Sequence, residues 1–180
     1  MKYLIAAIVL GAVGWYYLID GSKLDAAMVR EFYAQQSIHT YERDPEALCG
    51  MLGRGLSLRQ QRTIAGKLVT QTYDKDAACK NLRDSFKFFE EMGDKAGGML
   101  TIEYQYEIKS LEVAPDRKSA TVQVSTVLKM GEEFMQIFAQ STDRLDRSWR
   151  KVELTESDEQ VRMRWTPGAV VDPEKYFRSQ

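Results

Sequence analysis

Histidine and cysteine are nearly missing from this chain: His39 stands alone, and Cys49 and Cys79 are the only cysteines in 180 residues. A zinc centre built from four Cys and His ligands cannot be assembled from that supply, so no structural metal is expected. Net charge is almost absent as well. The 25 basic and 26 acidic residues leave a formal charge of -1, which gives no electrostatic footprint for nucleic acid. The chain also lacks internal repeats and low-complexity linkers, and its length suits one domain with a genuine core. Nothing in the sequence calls for a cofactor.

Long apolar runs are missing too, with one exception. Tyr3–Ile19 holds no charged side chain. As a helix it reaches roughly 25 Å, the short end of what crosses a hydrocarbon core of about 30 Å. Trp15, Tyr16 and Tyr17 sit at its far end, where amphipathic rings favour the interface. The small residues of Ala12-Val13-Gly14 also fit a leader-cleavage site. Three readings stay open: a membrane anchor over residues 1–21, a cleaved signal, or a buried helix. The first places the rest of the chain on the periplasmic side of an inner membrane, held by a single pass.

After Gly21 the period is helical. Ser22 and Asp25 are spaced as a capping box, and Leu24, Met28, Phe32 and Tyr33 follow at helical intervals, which predicts a helix from about Lys23 to Tyr41. Asp44-Pro45-Glu46 opens a short second helix that Gly50 and Gly53 close. The stretch SLRQQRTIAGKLVTQTY reads as one or two short strands ending near Tyr73. A third helix starts at Asp74, buries Ala78, Leu82, Phe86 and Phe89, and stops at Gly93.

The period then changes to two. Ile102, Tyr104, Tyr106 and Ile108 alternate with Glu103, Gln105, Glu107 and Lys109. The parity slips at Lys109 and Ser110, which predicts a bulge in a bent strand. APDRK is a turn, and Ala120, Val122, Val124, Thr126 and Leu128 line the returning strand. Further strands are expected at about Glu133–Leu145, Trp149–Thr155 and Val161–Trp165. Three helices followed by four or five antiparallel strands is an α+β order. TPGAVVDPEKYFRSQ is read as an extended tail over residues 167–180.

That order of elements, carried by MVREFYAQQSIHTYERDPEALCGML, DAACKNLRDSFKFFEEM and DRSWRKVELTESDEQVRMRW, resembles the NTF2-like superfamily, which includes SnoaL-like polyketide cyclases and ketosteroid isomerases. The resemblance spans roughly Leu24 to Trp165, within an expected domain of residues 22–166. It implies a cone of three helices on a curved antiparallel sheet, with an open end that takes a small apolar ligand and a sheet that often forms dimers. It also implies acid–base groups inside the cone.

Tyr33, His39, Tyr41, Tyr104 and Tyr106 are the candidate pocket residues, with His39 as a proton carrier near neutral pH. Glu103 and Glu107 fall on the polar side of their strand and belong to a solvated face. No aspartate is assigned to the apolar parity of a central strand, so no catalytic residue is named. Cys49 and Cys79 are either a disulfide, in an oxidising compartment, or two small buried thiols. The sequence reading favours a tethered, non-catalytic interaction module that binds an envelope protein or a second copy. Its alternative is a small-molecule carrier or SnoaL-like enzyme.

Overall fold

A computed structural model describes residues 23–64, 67–95, 101–131, 135–148 and 151–165. The expected anchor and the tail after Trp165 lie outside these residues. Among the described residues no helix is long and apolar enough to cross a membrane.

Helix α1 spans Ala26–Tyr41 and starts three residues later than the sequence suggests, because Asp25 is itself the cap. Its Oδ1 accepts the Met28 N–H at 2.9 Å, satisfying one of the donors a helix start leaves open. Helix α2, Pro45–Gly50, is capped by Asp44, whose Oδ1 accepts from the N–H groups of Glu46 and Ala47. Between the two helices Arg43 turns the chain at φ 57°, in the left-handed region.

Strands β1 (Leu52–Ile64) and β2 (Lys67–Tyr73) form a hairpin. Helix α3 covers Lys75–Lys95, with Asp74 accepting the Ala77 N–H. Gly93 does not end α3, which continues to Lys95; one glycine costs a helix only about 1 kcal/mol and Gly93 is buried. Then follow β3 (Ile102–Val113), β4 (Ser119–Met130), β5 (Met135–Ser148) and β6 (Lys151–Trp165).

The described strands form one six-stranded sheet in the order β2-β1-β6-β5-β4-β3. It is mixed, which corrects the antiparallel expectation: β1 runs parallel to β6, with Ser57 opposite Glu156 and Arg62 opposite Val161. Alternation marks a segment as a strand but says nothing of its neighbour, and this pair is joined through most of the domain. The bulge expected in β3 is present as a register shift between Ile108 and Ser110.

A second shift, where Arg144 and Leu145 face Glu156 and Leu154, leaves Thr155 as the extra residue of β6. That bulge reverses the parity of β6, so Leu154, Ser157, Glu159 and Val161 share the inner face. One continuous strand therefore replaces the two predicted ones.

The three helices among the described residues pack on the concave face. Leu24, Val29, Phe32 and Tyr33 meet Val122, Val124, Leu145 and Leu154, with Leu56, Ala78 and Cys79 completing the cluster. The convex face is mostly polar, with Val127 and Phe138 opposite each other on β4 and β5 as apolar members and Arg164 lying over the Phe138 ring. Gln123, Thr142, Glu156 and Gln160 are exposed there, and Arg59 pairs with Asp158. Edge strand β3 is sealed by Tyr41, whose hydroxyl donates to the Tyr104 carbonyl at 2.8 Å and accepts its N–H at 3.3 Å.

Gly53 belongs to β1 and does not end α2 as expected. A Cβ there would lie 2.9 Å from Thr155 Cγ2 and 3.2 Å from the Leu154 carbonyl oxygen. Gly53→Ala is therefore expected to cost about 1–3 kcal/mol by overpacking, read as a lower urea midpoint; an unchanged midpoint would refute the close approach.

Candidate acid–base site in the cone

The helices and the concave sheet enclose a cavity of about 350 Å³. Phe32, Tyr33, Gln36 and Thr40 reach it from one face of α1, Leu48 and Met51 from around α2, and Leu82, Phe86 and Phe89 from α3. Helical spacing puts each set on a single stripe. Leu128, Ile137 and Ala139 line the sheet side, so most of the wall is apolar.

One end is polar. Asp143 on β5 is 7% exposed. Its Oδ2 accepts the Tyr33 hydroxyl at 2.8 Å and its Oδ1 the Ser157 hydroxyl at 2.7 Å. Burial pushes the Asp143 carboxyl above the usual range, and the hydroxyls of Ser157, Tyr33 and Ser141 only partly offset this. On the neighbouring strand Glu159 lines the same cavity, its Oε2 accepting the Gln60 side-chain N–H at 2.8 Å. Burial raises its affinity for a proton, the Gln60 bond lowers it, and the like charge of Asp143 raises it further. Tyr33 and Tyr104 are driven well above the ordinary phenol range, first by burial and then by the Asp143 charge.

The arrangement is two buried carboxyls on neighbouring strands, with hydroxyl donors beside Asp143, at one end of a largely apolar chamber. Protonated, Glu159 can donate to a ligand oxygen; ionised, it can take a proton.

Of the residues singled out from sequence, the cavity brings together Tyr33 and Tyr104. Tyr106 stands behind them, its ring stacked 5.9 Å from that of Tyr33. Tyr41 is 50% exposed and serves the β3 edge. His39 faces a separate surface groove with Met28, Glu31 and Gln35, its Nδ1 3.5 Å from Glu42. The register of α1 is responsible: residues 33, 36 and 40 point inward, and 28, 31, 35 and 39 lie on another side. Glu103 and Glu107 are exposed and sit beside Lys129 and Lys109.

The reading that no aspartate occupies the inner parity of a central strand is corrected by Asp143. Met135, Ile137, Ala139, Ser141, Asp143 and Leu145 alternate without a break, and the buried ends of that series mark the face. The signal was present but weakened by its small and polar members. Ser157 and Glu159 share the parity of Val161, but the expected last strand begins only at Val161, and the Thr155 bulge puts them out of step with Leu154 in the strand before.

Cys49 at the end of α2 and Cys79 in the first turns of α3 are joined as a disulfide, with Cα atoms 5.2 Å apart. Among the described residues no group of three or more His, Cys, Asp or Glu is disposed to hold a metal ion.

No family model matches the chain, and no curated protein matches it. Solved structures do. A conserved protein from Planctomyces limnophilus superposes at TM-score 0.56 with 12% identity, over 77% of this chain and 96% of that one. An NTF2-like protein of unknown function from Pseudomonas putida gives 0.52 and 13%, over 77% and 88%. A hexachlorocyclohexane dehydrochlorinase (LinA) of type 2 gives 0.50 and 14%, over 82% and 92%. Identities this low speak for architecture alone, and the architecture is the α+β cone of the NTF2-like fold.

Proposed function

We propose that this protein binds a small, largely apolar molecule in its cone and moves a proton on it. The observation that carries the reading is that Asp143 and Glu159, on neighbouring strands, both line one end of a largely apolar cavity of about 350 Å³. That volume lies in the range of small-molecule sites, and buried titratable groups with raised proton affinity gather where proton transfer is done. The ligand fitted to such a chamber has an apolar body and one oxygen or acidic C–H directed at Glu159, with Tyr104 beside it. The dehydrochlorinase sharing this fold lends support that the cone can host elimination chemistry.

The leading segment Tyr3–Ile19 and the disulfide together support a domain held outside the cytosol on an inner membrane. The apolar leader also favours a second reading, a tethered, non-catalytic module that binds an envelope protein or a second copy. The mostly polar convex face, with ion pairs around a small Val127–Phe138 patch, speaks for the pocket over an apolar sheet dimer.

Titration with the neutral fluorophore N-phenyl-1-naphthylamine separates the two. The pocket reading expects saturable one-to-one binding that Ala139→Leu, which fills the chamber floor, weakens about tenfold, equivalent to about 1.4 kcal/mol. No saturable uptake, or equal uptake by the variant, would leave the interaction module standing.

A further inference from the structure

We infer that the Cys49–Cys79 disulfide is a redox latch on the cone, holding α2 as its lid, so that reduction by a dithiol releases α2 and loosens the grip on the ligand. The inference rests on the cavity being a ligand pocket and concerns its regulation.

Each cysteine has cavity-wall neighbours. Leu48 precedes Cys49 and Met51 follows two residues on; Ala78 precedes Cys79, with Asn81 and Leu82 in the next turn. The bond therefore joins two pieces of wall. Helix α2 is only six residues long and lies between two points where the backbone departs from regular structure. On one side Arg43 holds its left-handed φ of 57°. On the other, β1 and β6 lose register between Leu52 and Ser57. Its last turn is tied down, with the Gly50 carbonyl accepting from Lys151 and the Met51 carbonyl from the Leu154 N–H. Once the disulfide opens, α2 keeps among its contacts the buried Leu48 side chain and the exposed Glu46–Arg83 ion pair to α3. Exposed pairs contribute little. The N-terminal part of α2, which the Asp44 N–H still ties to the His39 carbonyl of α1, can then shift about Met51.

The chemistry is ordinary exchange. A donor thiolate attacks Sγ of Cys49, the less buried partner, and Cys79 leaves as a thiolate that takes up a proton. The donor's second thiol displaces Cys49, leaving two protein thiols and an oxidised donor disulfide.

The test compares the full chain, oxidised and held in dithiothreitol, with a Cys49→Ala/Cys79→Ala variant as the permanently open state. Amide exchange over residues 45–51 and N-phenyl-1-naphthylamine affinity are read together. If α2 is docked for about a tenth of the time once released, the apparent Kd rises about tenfold. The expected result is faster exchange in α2 with β4 and β5 still protected, together with that weaker binding. Unchanged protection of α2 overturns the latch. So does a fall in β4 and β5 protection as large as that in α2, or an unchanged Kd. Should the oxidised chain take up no probe, the pocket reading fails instead, and the latch is judged on the α2 exchange alone.

Discussion

Removing the disulfide by Cys49→Ala/Cys79→Ala is expected to lower the stability of the domain by about 3 to 4 kcal/mol. The bond spans a sequence separation of 30, and the chain-entropy model assigns a closed loop of that length this much lost freedom in the unfolded state. Cys79 is 4% exposed, so its replacement also removes a buried sulfur, which adds to the loss in the same direction. A single domain typically has about 5–15 kcal/mol in hand, so the variant should still fold at a lower urea midpoint. Urea titrations of oxidised parent and variant would decide; a difference below about 1 kcal/mol would mean that the unfolded chain is not constrained by the bond. A cost of this size matters for location. It is gained only where the thiols stay oxidised, which is outside a reducing cytosol.

Stability should also fall as pH rises from about 4 toward neutrality, and Asp143→Asn/Glu159→Gln should flatten that fall. In the unfolded chain these groups titrate near 3.9 and 4.3. In the folded chain burial raises both. Between the unfolded and the raised folded values the native state therefore binds more protons, and unfolding free energy declines with pH. The contribution is fully present below the unfolded values and is lost as pH rises through the folded ones. Each unit of difference corresponds to about 1.4 kcal/mol per group, so two groups moving in one direction make a slope that urea midpoints at pH 4.5 to 8 can resolve. The amides keep an acceptor for Tyr33 and for Gln60 and cannot ionise, so the variant should be the more stable protein at pH 8. A parent whose midpoint rises over that interval, or a variant with the same slope, would show that both carboxyls are ionised without penalty.

The residues that carry these two expectations were not equally legible. Both cysteines were visible as a possible pair, yet only the packing of α2 on α3 brings their Cα atoms within bonding reach. Tyr33 and Tyr104 could be picked out because they stand in strong periodic stripes. His39 and Tyr41 sit in the same helix as Tyr33 and are candidates that the structure places outside the pocket. The 100° step of the helix turns both away from it. Asp143 lay on a legible alternation whose inner members are partly polar, and a hydrophobic pattern is blind to a face that is polar by design. Glu159 shares the side of Val161, two residues on, but counted from Leu154 the residue inserted in β6 inverts its side, and the expected last strand stopped short of it.

Local pattern in this chain determined the three helices, most of the strands, the β3 bulge and the α+β order, because helix caps and the periods of 3.6 and 2 act over a few residues at a time. The tertiary structure decided that β1 lies parallel to β6, that Asp143 and Glu159 converge on one chamber, and that two helices are stapled beside it. These facts depend on contacts between segments up to about a hundred residues apart, such as Tyr33 with Asp143 and Gln60 with Glu159. Such contacts form only when the sheet closes over the helices, and no short stretch of sequence encodes them.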